Sequence, residues 1–207
     1  MGLSPIIIGI TGNYGSGKSL FCNYLREIGL TVISADAISQ DLLDSKPNLA
    51  AIAARWGRDF VRDNKADRKK IAELVFNSPK DLAWLNQLLH PQVLAGMQRV
   101  VDESNEAYLF FEVPLLFEAG MQRCFDYLIL VRVDPEVRLK RLKKRDHATQ
   151  KEILARLGNQ IDDENKAPFC DLVVDNNSSP AKLKAQAKKL ETQLKSIKRK
   201  DKLAFCL

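Results

Sequence analysis

The 207 residues carry a net charge of +6, with 45% hydrophobic and 28% charged residues, which excludes a disordered or fibrous chain and allows one ordinary globular core. The modest basic excess suits a polyanionic partner without choosing among nucleic acid, acidic lipid and a phosphorylated small molecule. The four cysteines, Cys22, Cys124, Cys170 and Cys206, lie far apart with no C-x-x-C pair, so the spacing argues against a zinc cluster or disulfide framework and for a reducing cytoplasm.

At the amino terminus no basic segment leads into a long apolar stretch, and no apolar run approaches a membrane span. Met1-Gly2 lacks the Ser or Thr at position 6 that myristoylation needs, and Cys206 is too near the end for prenylation, so secretion, insertion and lipidation are not expected. The first predicted strand, 6–10, runs into Gly12-Asn13-Tyr14-Gly15-Ser16-Gly17-Lys18-Ser19, a complete G-x-x-x-x-G-K-[ST] between a buried strand and a helix. Its glycines let backbone N–H groups surround a phosphate, and the helix presents its positive end to the same anion. Lys18 is expected to bridge the β- and γ-phosphates of ATP, and the Ser19 hydroxyl to ligate Mg²⁺.

The second strand, 31–34, ends at Ser34-Ala35-Asp36, which predicts Asp36 at the carboxyl edge of a parallel sheet. Two readings stand beside each other there: a carboxylate that receives a hydroxyl proton during phosphoryl transfer, and a cap on the following helix. About seventy residues then separate this strand from the next, with helical patterns near 49–56, 68–76, 79–89 and 91–103, and read as a helical insertion. Within it Asn64-Lys65-Ala66-Asp67 matches a guanine-reading N-K-x-D. No D-x-x-G accompanies it and no buried strand precedes it, so Asp67 reads better as the N-cap of the helix at Arg68.

The strand at 108–111 ends in Glu112, which reads either as an outer-sphere magnesium or substrate-orienting group or as a solvated strand end. A fourth strand spans 127–133. The segment from Arg138 to Asp146 carries six basic residues in nine, and a helix there is expected to put Arg138, Arg141 and Arg145 on one face with Leu139 and Leu142 toward the core. Thr149-x-x-Glu152 predicts a capping box, and Ser78-Pro79 and Ser179-Pro180 predict capped helix starts. After a fifth strand at 172–174, Leu183, Ala187, Leu190, Leu194 and Ile197 recur at helical spacing among nine basic residues between 182 and 202. An amphipathic helix docked on the domain is favoured over a nucleic-acid tail, because no aromatic side chains interleave with the charges.

Several of these stretches carry a family pattern: the glycine loop, Ser34-Ala35-Asp36, Asp67-Arg68 before a helix, Leu88-Leu89-His90-Pro91, Val113-Pro114-Leu115-Leu116-Phe117-Glu118, Leu139-Lys140-Arg141 with Arg145-Asp146, Gln160, and Asp171 through Asn176. Together they resemble the dephospho-coenzyme A kinase family, nearly end to end. The resemblance implies transfer of the ATP γ-phosphate to the 3′-hydroxyl of the dephospho-coenzyme A ribose, the last step of coenzyme A synthesis. It implies an α/β P-loop NTPase fold of the nucleoside monophosphate kinase type, with a five-stranded parallel sheet flanked by helices. One domain, 1–207, is expected, with its core at 1–36 and 108–207, a helical substrate subdomain at 37–107 and a lid at 138–150.

By resemblance Asp36 activates the ribose hydroxyl, Arg141 stabilises the transferred phosphoryl group and Lys18 retains its phosphate role. ATP contacts are expected from Gly12 through Leu20, from Arg145 and from Asn176. His90, Pro114, Leu115 and Phe117 are expected in the coenzyme pocket, and Ser19 with Glu112 at Mg²⁺. Two positions depart from the family pattern. Ser34 stands where the family has its first Asp, and Leu20 where Thr is common. The expected partners are ATP and dephospho-coenzyme A, with no nucleic acid and no membrane, for a monomer or weak homo-oligomer. Two other readings are another small-molecule P-loop kinase and a basic, nucleic-acid-binding ATP switch.

Overall fold

A computed structural model describes residues 4–146, 149–200 and 205. Met1, Gly2 and Cys206, and residues 147–148 of the expected lid, lie outside the described residues. In chain order the elements are β1 (Ile6–Thr11), α1 (Lys18–Glu27), β2 (Val32–Ser34), α2 (Ala35–Leu43), α3 (Lys46–Trp56), β3 (Val61–Arg62), β4 (Lys65–Ala66), α4 (Arg68–Asn77), α5 (Pro79–Glu103), β5 (Tyr108–Glu112), β6 (Tyr127–Arg132), α6 (Pro135–Asp146), α7 (Gln150–Leu157), α8 (Asp163–Lys166), β7 (Leu172–Asp175) and α9 (Pro180–Gln193). They divide into two compact units, one built on the residues up to Ser34 and from Glu103 onward, the other on Ala35–Asp102 with Phe205.

The first unit is a five-stranded sheet in the order β2-β5-β1-β6-β7, parallel throughout. The five apolar runs of the sequence are these five strands. β1 lies at the centre and is buried on both faces, the reason it reads as an uninterrupted apolar run. Phe21, Cys22 and Leu25 of α1 pack on one face with Leu183, Ala187 and Leu190 of α9, and Leu194 and Ile197 continue that cluster. The amphipathic reading of the last helix is therefore correct for its apolar face, although the helix stops at Gln193 before the final run of basic residues.

The second unit holds α2 to α5 around Leu43, Leu49, Ile52, Ile71 and Leu89, with Trp56 and Trp84 packed edge to face at 4.8 Å. The sequence suggests a helix break between Leu89 and Pro91, whereas α5 runs unbroken through Pro91 for 25 residues. A proline inside a helix removes one backbone donor and crowds the preceding turn. Here Gln92 Nε2 donates to the Leu88 carbonyl at 2.7 Å in that same turn, and the Gln92 and buried Asn48 amides bond each other at 2.9 and 3.0 Å. The polar stretch before Asn64 also hides a hairpin: β3 pairs antiparallel with β4 through Asp63 and Asn64, both at positive φ. Two successive left-handed residues suit a tight hairpin turn. Asp67 caps α4 by accepting from the Lys70 N–H at 3.1 Å, as expected.

Candidate active site

β1 hands the chain at Thr11 to the glycine loop, which closes on itself through Ser16 N–H to the Asn13 carbonyl at 2.9 Å. Gly12 and Gly17 take φ of 156° and 89°. A Cβ would sit 2.2 Å from the Val131 carbonyl oxygen at Gly12 and 2.1 Å from Asn176 Nδ2 at Gly17, so both positions require glycine. Gly17 is the N-cap of α1, makes no side-chain cap bond, and is followed by a first turn without acidic residues. The helix thus keeps its positive end and its first N–H groups for an anion. Leu20, in that turn, is partly exposed.

Ser19 Oγ donates to Glu112 Oε1 at 2.7 Å, and Lys18 Nζ and Arg26 Nη2 lie 3.8 and 3.9 Å from the same carboxylate. Glu112 is 8% exposed, which rules out its reading as a solvated strand end. In the sheet it stands opposite Ser34. One hydroxyl and one carboxylate are the hard oxygen donors that suit Mg²⁺, a cation that keeps water and phosphate in most of its positions. Among the described residues no group of three or more His, Cys, Asp or Glu gathers. Cys22, behind Glu112, has its thiol pushed well above the usual range by burial and then by that carboxylate, so it remains a protonated core side chain.

The variable positions of the loop are fixed by the segment that follows α7. Asn13 Nδ2 donates to the Ile161 carbonyl at 3.0 Å, Lys166 Nζ donates to Asn13 Oδ1 at 2.6 Å, and Tyr14 N–H donates to Gln160 Oε1 at 2.8 Å. The Tyr14 hydroxyl donates to Asp146 and accepts from Arg156 Nη1 at 3.1 Å, while Arg145 and Arg156 both stand over its ring. Burial, and then the Asp146 hydrogen bond, raise the Tyr14 phenol. Hydrogen bonds from Arg145 and Tyr14 hold the Asp146 carboxyl far below the usual carboxylate range.

On the other side of the loop the Asn176 amide donates to the Ser16 carbonyl at 2.8 Å, and Asn176 is buried. Arg141 donates to the carbonyls of Asn176 and Ser178 at 2.6 and 2.7 Å. Of the three arginines expected on one cationic face of α6, Arg138 is buried and does not contribute to such a face. Arg138 is 8% exposed, pairs with Asp163 at 2.5 Å and donates to the Val133 carbonyl at 3.3 Å. A guanidinium inside the fold needs a partner, and α8 supplies one. Leu142 is buried as expected.

Lys18, Ser19, Glu112, Arg141, Arg145 and Asn176 thus gather round one loop in the first unit. Pro114, Leu115 and Phe117 follow β5 in the same unit: the Pro114 carbonyl accepts from Thr11 Oγ1 at 3.2 Å, Leu115 is exposed, and Phe117 is buried with its ring 6.3 Å from that of Phe169. Asp36 and His90 belong to the second unit, Asp36 exposed in the first turn of α2 and His90 exposed on α5 before Pro91. Asp36 is the second residue of α2 and not its cap. The grip on Asn13 by Lys166 and Ile161 has no counterpart among the expected site residues, since nothing in a polar turn such as Asp163-Glu164-Asn165-Lys166 marks a lysine as buried.

A family model described as dephospho-CoA kinase matches residues 6–182. The chain is 36% identical over 200 residues to the dephospho-CoA kinase of Chlorobium chlorochromatii, covering 92% of this chain and 94% of that one. Among solved structures it resembles the Thermus thermophilus protein TT1252, at 32% identity and a TM-score of 0.79 over 93% of this chain and 99% of that one. It also resembles the dephospho-CoA kinase of Campylobacter jejuni, at 28% identity and a TM-score of 0.68 over 92% and 97%.

Proposed function

The chain belongs to the dephospho-CoA kinase family and phosphorylates dephospho-CoA with ATP as donor in coenzyme A synthesis, and from that premise we propose how its residues divide the reaction. The observation that carries the proposal is the glycine loop, which leaves a helix end open beside Lys18, Ser19 and Glu112. The backbone of residues 12–20 holds the β-phosphate and Lys18 bridges the β- and γ-phosphates. Ser19 and Glu112 would hold Mg²⁺, which when bound supplies positive charge to the phosphate oxygens.

The acceptor is the ribose 3′-hydroxyl of dephospho-CoA. Asp36 takes its proton as the oxygen bonds to the γ-phosphorus and the bond from that phosphorus to the leaving ADP oxygen breaks. Two features support Asp36 in this role: it lies two residues beyond Ser34, the sheet partner of Glu112, and it follows the family pattern there. Arg141 neutralises the phosphoryl group in transit, and Arg145, one helical turn further on, contacts ATP. Asn176, bonded to the Ser16 carbonyl of the loop, borders the ATP adenine, and Pro114, Leu115, Phe117 and His90 take the coenzyme moiety. The helical stretch 37–107 serves as acceptor subdomain and 138–150 as lid.

No helix among the described residues is long and apolar enough to cross a membrane. We place the reaction in the cytoplasm, a reading supported by the free thiols of Cys22 and Cys170. The test is a coupled ADP-release assay with ATP, Mg²⁺ and dephospho-CoA, run beside nucleosides and pantothenate. Release with dephospho-CoA alone is the expected result, and release only with another acceptor would overturn the reading.

A further inference from the structure

Lys166 is fully buried, at 0% exposure, yet the reaction proposed above assigns it nothing to do. Its ammonium lies 2.6 Å from Asn13 Oδ1, 3.0 Å from Glu118 Oε1 and 6.0 Å from the centre of the Phe117 ring. A buried ammonium is strongly disfavoured unless paired and hydrogen-bonded. One of its two polar partners is the side chain of a phosphate-loop residue, and that side chain has a defined orientation only because its oxygen is claimed. With Oδ1 on Lys166, Asn13 Nδ2 is directed to the Ile161 carbonyl at 3.0 Å. Asn13 itself is 3% exposed, and its carbonyl closes the loop by accepting from the Ser16 N–H at 2.9 Å.

We infer that Lys166 is a positioning residue for phosphoryl transfer: through Asn13 it holds the first turn of the glycine loop in its anion-binding shape. Through Glu118 it anchors that loop to the stretch 113–118. The inference rests on the ATP-binding role of the loop proposed above, but on no particular acceptor. A lysine that only neutralised Glu118 would affect folding alone. A lysine that positions the loop affects nucleotide affinity as well, because displaced N–H groups no longer converge on the phosphate.

The experiment measures equilibrium binding of MgATP to the full chain without acceptor, together with thermal unfolding, for K166M, N13A and the double variant. Each single variant should weaken ATP binding about 10- to 100-fold, the range typical when a group supporting a directly contacting residue is lost. The double variant should be no weaker than the worse single one, since both break the same link. K166M/E118Q removes both charges of the buried pair, and N13A leaves that pair intact, so the link is tested even where K166M alone does not fold. ATP affinity within twofold of wild type in N13A and in the Lys166 variant that folds, or losses that simply add in the double variant, would overturn the inference. Nucleotide affinity is read with no acceptor present, so a wrong acceptor and a wrong role for Lys166 give different results.

Discussion

Arg141 and Asn176 are joined through the main chain: the guanidinium donates to the Asn176 carbonyl at 2.6 Å while the Asn176 amide donates to the Ser16 carbonyl at 2.8 Å. An arginine of α6 is thereby tied to the glycine loop through one residue beyond β7. The second Arg141 donor, on the Ser178 carbonyl at 2.7 Å, makes the arrangement a fork that lysine cannot reproduce. R141M and R141K should both lower kcat, by about 100-fold for R141M, the effect of removing one donor aimed at transition-state charge. Steady-state kinetics with both substrates saturating checks this, and an R141K enzyme as fast as wild type would show that only the charge matters.

Asp36 is the one carboxylate proposed to receive the ribose proton. D36N should lower kcat about 10²- to 10⁴-fold, the range for loss of a general base. ATP affinity should stay within about twofold of wild type, as expected when an interaction is made only in the transition state. Equal losses in kcat and ATP binding would mark Asp36 as a structural residue of α2.

Glu112 accepts from Ser19 at 2.7 Å and faces Lys18 and Arg26 at 3.8 and 3.9 Å. E112Q preserves the shape and an acceptor for Ser19 but removes the negative charge. The Mg²⁺ concentration for half-maximal rate should rise about 10-fold, within the range reported for lost outer-shell partners. Titrating Mg²⁺ at fixed ATP measures it. An unchanged midpoint would assign Glu112 to holding Lys18 and Ser19 in place and not to magnesium.

The parts of this molecule legible in the sequence are those with local causes. The five strands announce themselves as apolar runs, the loop by glycines at fixed spacing, and the starts of α4, α7 and α9 by capping side chains, each of which makes its expected bond. The parts that were not legible depend on distant partners. Pro91 looks like a helix end, because the contacts α5 makes beyond it, such as the Gln92–Asn48 amide pair across the unit, cannot be seen locally. The burial of Arg138 and Lys166 leaves no local mark, since it is decided by Asp163, Asn13 and Glu118. The hairpin at β3 and β4 was missed because two-residue strands are too short to show alternation.

Gly17 combines φ of 89° with contact so close that a Cβ would meet Asn176 Nδ2 at 2.1 Å. G17A must therefore either strain the left-handed cap or displace Asn176 from the Ser16 carbonyl. The backbone strain alone is about 1–3 kcal/mol, which for a chain of this size lowers Tm by at least roughly 2–4 °C. ATP binding should weaken in parallel, because the donors of the loop and of α1 move together. Calorimetry and ATP titration of G17A test both, and an unchanged Tm would show that the loop relaxes freely.

Asp44 gives a pH dependence with a defined sign. Its carboxylate accepts from the Ala66 N–H at 2.9 Å and from Arg68 Nη2 at 2.9 Å, tying the end of α2 to the hairpin and to α4. The Ala66 N–H above all, helped by Arg68 and opposed by partial burial, holds its carboxyl below the usual carboxylate range. A folded-state pKa below the unfolded value means that the fold favours the ionised form. The stabilisation is therefore fully present above the unfolded value of about 3.9 and is lost as pH falls through the lower folded value. D44A should cost about 1–2 kcal/mol near neutral pH, toward the low end for charged hydrogen bonds because Arg68 is half exposed. Urea unfolding of both proteins should show that difference constant from about pH 7 to about pH 5 and shrinking below about pH 4. A difference that stays constant down to about pH 3 would mean that the Asp44 charge contributes nothing and that the loss arises from packing alone.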